Sequence, residues 1–145
     1  MKRFNYRFEG LQGVRGIELD NLRMDMFSAQ KQLDDAQQEL RRLQAELESS
    51  YDEISRLRGR QHSQYLLQSM EGYGAQLRFR LQEQAGRILR CRHELEQVRQ
   101  RVMEKHQETK VLKKHRERQF EMHVRDMERS MQQELDESAG NTNNN

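Results

Sequence analysis

The side chains of this chain that could do chemistry are few. They are His62, His93, His106, His115 and His123, the single cysteine Cys91, and the adjacent carboxylates Asp34-Asp35 and Asp52-Glu53. A metal site on a helix wants two imidazoles one turn apart, as in H-x-x-x-H, and no two of these histidines stand at that spacing. Cys91-x-His93 sends its two side chains to different sides of a helix, and the histidines read as solvated surface residues. Adjacent carboxylates on a solvated face have nothing to raise a pKa for acid/base work. Neither G-x-S-x-G nor G-x-x-x-x-G-K-[ST] occurs, so there is no nucleophile elbow and no phosphate-cradling loop. The pattern points away from an enzyme, and no metal or cofactor is expected.

One segment could meet phosphates, the basic run Lys110-Val-Leu-Lys-Lys-His-Arg-Glu-Arg118. Glu104, Glu108 and Glu117 dilute its field, and no aromatic stacking platform accompanies it. The competing reading is a solvated or helix-pairing face. A formal net charge of +2 over 145 residues is too close to balance to imply nucleic acid, which is not expected as a partner.

Composition decides what kind of scaffold can carry such residues. Charged residues (34%) match hydrophobic ones (33%), and proline and tryptophan are both missing. A globular core at this length needs about half its residues apolar, so a compact domain is disfavoured. High polarity is also the mark of disorder, and regular spacing of the apolar residues separates the two. No apolar run approaches the roughly 18 residues of a membrane span, and Met1-Lys2-Arg3 leads into no signal-peptide core. A lone cysteine fits a reducing compartment, so a cytoplasmic protein with no membrane insertion is expected.

The spacing is regular. Leu19, Leu22, Met26, Ala29, Leu33, Ala36, Leu40, Leu43, Leu47, Ser50, Ile54 and Leu57 advance by three and four, and all but Ser50 are apolar. That alternation is the a/d seam of a left-handed coiled coil. After a break at RGRQHSQ a second seam runs Leu67, Met70, Gly74, Leu77, Leu81, Gln84, Ile88, Cys91, Leu95, Val98, Val102, Lys105, Thr109, Leu112. Gly59 suits a helix end and Ser63 a helix cap. The prediction is one all-α unit over residues 1–138, a long antiparallel two-helix coiled-coil hairpin. Helix one covers about 5–58, the turn about 59–63 and helix two about 64–137, and a disordered tail occupies 139–145.

Folding back so that paired residue numbers total 124 brings the two seams together layer by layer, with Ala36 facing Ile88 and Ala29 facing Leu95. A register shifted by one heptad would keep the a-to-d rule with a longer turn. From Glu18 to Glu53 the net charge is −6, and from Arg78 to Arg118 it is +7. A parallel homodimer would set each segment against itself, whereas the hairpin sets acidic helix against basic helix. In this register Phe120 lies opposite Phe4, so Phe120, Val124, Met127 and Met131 extend past the first helix beside Phe4, Tyr6, Phe8 and Leu11. An uncovered Met-rich stripe reads as a binding end. Residues 4–11 folding back over it would bury it locally instead. Tyr73 and Phe79 form a smaller candidate surface near the turn.

Three segments resemble a known family. Phe4-x-Tyr6-Arg7-Phe8-Glu9-x-Leu11-x-x-Val14-Arg15 is similar to the start of the flagellar export protein FliJ family. Met70-x-x-Tyr73-Gly74-x-x-Leu77-x-x-x-Leu81 resembles its segment after the turn. Lys110-x-Leu112-x-x-x-Arg116-Glu117-Arg118, followed by Glu128 and Glu134-Leu135-Asp136-Glu137, resembles its basic, then acidic, end. The resemblance implies an antiparallel coiled coil like the central stalk of rotary ATPases. It implies as partners a hexameric flagellar export ATPase, a membrane export gate protein and export chaperones, with peripheral placement at the cytoplasmic face of the cell membrane. It also implies that Phe120, Val124, Met127 and Met131, with Phe4 and Phe8 beside them, face the ATPase, and that Tyr73 and Leu77 lie toward the gate. Injectisome stalk proteins share this plan, and a generic coiled-coil tether without an ATPase partner remains the reading from another class.

Overall fold

The computed structural model describes residues 2–59 and 64–143. The protein is all-α: helix α1 spans Glu9–Arg58 and helix α2 spans Gln64–Asn143, packed as an antiparallel helical hairpin. Gly59 takes up the turn after Arg58; the rest of the expected turn, with His62 and the cap Ser63, lies outside the described residues. Every position of both predicted seams is buried or half-buried. The sequence spacing therefore named the packed stripe of each helix. The chain divides into two compact units, Leu22–Arg101 and Met1–Asn21 with Val102–Asn145.

In the unit Leu22–Arg101 the core is a cluster of Leu33, Ala36, Ile88, Cys91 and Leu95, with Met26, Ala29 and Leu40 packed against it. Leu33 and Cys91, Ala36 and Ile88, and Ala29 and Leu95 are the layers of the 124 register. Polar bonds between the helices straddle that register evenly. Arg58 to Glu71 (2.8 Å), Arg78 to Tyr51 (2.5 Å) and Arg99 to Gln30 (3.4 Å) close one flank of the seam, and Tyr73 to Glu46 closes the other. Gln84, a polar residue in the seam, satisfies itself by donating its amide to the Ala36 carbonyl at 2.9 Å. Ser50 is buried too, and Gly74 is buried on the facing helix.

The expected zipper of acidic against basic helix is realised only locally. In this unit Arg42 holds Glu39 (2.6 Å) and Glu46 (3.2 Å) within α1 itself, and the cross-helix pair Arg58–Glu71 has the reverse polarity. The reason is positional. Arg42 stands three residues after Glu39 and four before Glu46, within reach along one helix face, so it captures them before α2 can.

In the other unit Leu19 is buried, and Lys105 occupies a seam position by laying its stem along the interface while its ammonium reaches out. Lys105 Nζ meets Glu18 at 2.8 Å and Glu108 at 3.2 Å, and Arg15 meets Glu18 at 3.0 Å and Glu108 at 3.6 Å. Two cations and two carboxylates thus alternate across the helices. Hydrogen bonds from Lys105 first and Arg15 second hold the Glu18 carboxyl below its ordinary pKa, and Glu18, then Glu108, hold the Lys105 ammonium above its own.

Both helix ends differ from expectation. α1 begins at Glu9 rather than near residue 5: residues 2–6 are in no regular element, Arg7 and Phe8 form a turn, and Tyr6 is buried against α2. The Glu9 amide donates to the Tyr6 carbonyl (3.2 Å) as the chain turns into the helix. α2 continues to Asn143, through the segment expected to be disordered. The Thr142 hydroxyl lies within bonding distance of the Ser138 (2.7 Å) and Ala139 (3.1 Å) carbonyls of the preceding turn.

Candidate partner-binding surfaces

The first surface belongs to the unit formed by residues 1–21 and 102–145. Because α1 starts at Glu9, the face of α2 beyond Leu112 is met by the non-helical segment 2–8. Phe4, Tyr6 and Phe8 all reach α2, Tyr6 and Phe8 from the two sides of the turn that opens α1. Tyr6 is the anchor: it is 4% exposed, and its hydroxyl donates to the Leu112 carbonyl at 3.3 Å and stands 2.8 Å from His115 Nδ1. The Arg116 guanidinium sits over the Tyr6 ring at 5.8 Å and bonds Gln12 at 3.1 Å.

Around that anchor, Phe8 rests on His115 (5.7 Å) and edge-on to Tyr6 (5.9 Å). Phe4 meets Phe120 edge to face at 5.2 Å and His123 at 5.5 Å. Phe4 and Phe8 are therefore half-buried, and the stripe they adjoin is partly covered at Phe120. Further along α2, Val124 and Met131 are exposed, Met127 is half-buried, and Leu135 is 63% exposed. Local burial by the N-terminal segment thus reaches Phe120 and His123, and the apolar ridge continues beyond it. His115 and His123, expected as solvated, are half-buried aromatic neighbours instead. The alternation Phe4, Tyr6, Phe8 was the signal that could have found them.

The second surface lies in the unit Leu22–Arg101. Tyr73 is exposed and donates its hydroxyl to Glu46, a bond that raises the phenol pKa; desolvation adds to it. Arg42 clamps Glu39 from the same side, lowering the Glu39 carboxyl and raising its own pKa. Leu77 is fully buried, with 0% exposure. It stands at a seam position one turn from Tyr73, where its side chain packs between the helices.

Among the described residues no group of three or more His, Cys, Asp and Glu side chains could hold a metal ion. Cys91 sits in the core, as its seam position foretold. Among the described residues no helix is long and apolar enough to cross a membrane. No curated protein and no solved structure matches the chain. A family model described as "Flagellar FliJ protein" matches residues 4–145. That match takes in both helices, the aromatic anchor at Tyr6 and the ridge beyond Leu112, and the chain accordingly belongs to the flagellar FliJ family, which is a family of non-catalytic, flagellar export-related proteins.

Proposed function

We propose that the protein is the non-enzymatic coiled-coil stalk of the flagellar type III export apparatus. The ridge of Phe120, Val124, Met127 and Met131 inserts into the hexameric export ATPase, and the Tyr73 flank addresses the membrane export gate. The protein escorts export chaperones at the cytoplasmic face of the cell membrane. The observation that supports this reading most is the ridge itself: α2 runs past the start of α1 and keeps apolar residues at three-and-four spacing on a face with no helix against it. Exposed apolar ridges of this kind mark contact with another protein. A stiff helix seated among six subunits biases their conformations because it touches the states unequally, and coupling is limited to that difference in contact energy.

The test is a Phe120→Ser, Val124→Ser, Met127→Ser variant added to the export ATPase. Stimulation of hydrolysis is expected to disappear while helicity by circular dichroism stays unchanged. Stimulation equal to the native protein's would remove the assignment. Tyr73→Ala is expected to weaken capture by the gate and to leave ATPase stimulation intact.

A further inference from the structure

The two flanks of the seam in the unit Leu22–Arg101 are charged differently. On the flank of Tyr73, α1 presents Asp25, Glu39, Glu46 and Glu53 at the g positions of its heptads, facing Arg80, Arg87 and Arg101 of α2. On the opposite flank α1 presents Gln30, Gln37, Gln44 and Tyr51 at e, while α2 still presents Arg78, Arg92 and Arg99. Arg78 and Arg99 find Tyr51 and Gln30. Among the described residues neither Arg92 nor Arg41, which lines the same groove on α1, forms an ion pair within 4 Å; Glu96, one turn along from Arg92, faces Arg99 instead.

Between these two arginines runs a groove of about 480 Å³. Its floor is apolar, formed by Leu40, Ala85, Ile88 and the 64%-exposed Leu89, and no carboxylate lines it. The nearest acids are engaged elsewhere: Asp34 takes the Gln30 amide (3.0 Å) and Glu96 faces Arg99 (4.0 Å). A cleft between two antiparallel helices with an apolar floor has the form a third helix fills. We propose that this groove docks an acidic amphipathic helix of a partner protein. The apolar stripe of that helix lies on Leu89 and Ala85, and its flanking carboxylates reach Arg41 and Arg92 on the two rims. Guanidinium forks on both sides favour bidentate carboxylates. The concave floor favours a helix over a lipid surface, which would reach the rims alone.

The site uses the flank away from Tyr73 and none of the ridge residues, so it stands or falls apart from the export-stalk reading. The probe is a fluorescent peptide of about three heptads with leucines on one face and glutamates flanking them, titrated by anisotropy into the full chain at low salt. Saturable binding is expected. It should weaken about tenfold or more in Arg41→Glu with Arg92→Glu, and likewise in Leu89→Ser, whose exposed site leaves folding unaffected. The pair Arg80→Glu with Arg87→Glu on the other flank is expected to bind as the native chain does. The proposal is overturned if the native chain does not bind, if a lysine-flanked peptide binds equally, or if both arginine pairs weaken binding alike. It is equally overturned if phosphatidylglycerol vesicles bind and the peptide does not.

Discussion

Tyr6 carries the N-terminal segment, and its removal should undo that segment without undoing the hairpin. The ring is almost wholly enclosed, so an aromatic of this size contributes on the order of 150–250 Å² of burial, or about 4–6 kcal/mol before any opposing term. Ordering each residue of this non-helical segment costs about 1–2 kcal/mol, and residues 2–6 have only Phe4 and Tyr6 to offset it. The net docking free energy is therefore a few kcal/mol at most, and Tyr6→Ala, at roughly 3–5 kcal/mol, exceeds it. Tyr6→Phe keeps the ring and loses the bonds to Leu112 and His115, a cost of about 0.5–1.5 kcal/mol, because solvent can replace them at this partly open site. The chain has no tryptophan, so Phe4→Trp installs a single emitter beside Phe120 and His123. In that background Tyr6→Ala should shift emission to that of a water-exposed indole and leave helicity unchanged. Tyr6→Phe should give a partial shift that grows with denaturant well below the main transition. An indole indifferent to Tyr6→Ala would refute the anchor, as would equal effects of the two substitutions.

Three further outcomes follow from the packing. Leu77→Ala should cost about 2–5 kcal/mol in urea melts, against under about 1 kcal/mol for the exposed Tyr73→Ala, since only the first opens a hole in the seam. Gly13→Ala should stabilise α1 by about 0.5–1 kcal/mol, because an added Cβ meets nothing within 4 Å and the φ is already negative; a lower melting temperature would contradict this. The network of Glu18 and Lys105 sets a pH window. A lowered carboxyl pKa gives stability that is present above its unfolded value and lost as pH falls through the folded one. A raised ammonium pKa gives stability present below its unfolded value and lost as pH rises through the folded one. The contribution is thus level through neutrality, and Glu18→Gln should flatten the acid limb of a stability–pH curve relative to the native chain.

The seams were legible because burial in a two-helix coiled coil depends on one periodic stripe, and substitutions such as Gln84 and Lys105 do not break it. Gln84 finds a carbonyl of the facing helix, and Lys105 lets its charge reach the surface, so both keep the phase while spoiling the apolar tally. Cys91 and the 124 register were legible for the same reason. The burial of Leu77 was legible in the same way, from its seam position alone. The helix start was placed a turn too early, because nothing in three-and-four spacing marks the turn at Arg7 and Phe8 that precedes Glu9. Alternation at Phe4, Tyr6 and Phe8 is a two-residue period, and a search for three-and-four spacing passes over it.

Charge misled in a more instructive way. Net charges of opposite sign on two segments state an average, while ion pairs depend on which heptad position holds each residue. Acids at g of α1 do face arginines at g of α2, yet Arg42 intercepts Glu39 and Glu46 along its own helix. Arginines at e of α2 face uncharged partners, Tyr51 and glutamines, so part of the basic surplus of α2 is not neutralised inside the hairpin. A surplus spent within the fold would select the back-folded partner and leave neutral flanks. The charge left at Arg92 of α2 and Arg41 of α1, beside exposed Leu89, instead gives one flank a selectivity of its own. The long-range field still opposes self-pairing of like segments in parallel. Partner choice within the chain and partner choice outside it therefore rest on different subsets of the same arginines, and substituting one subset should leave the other function standing.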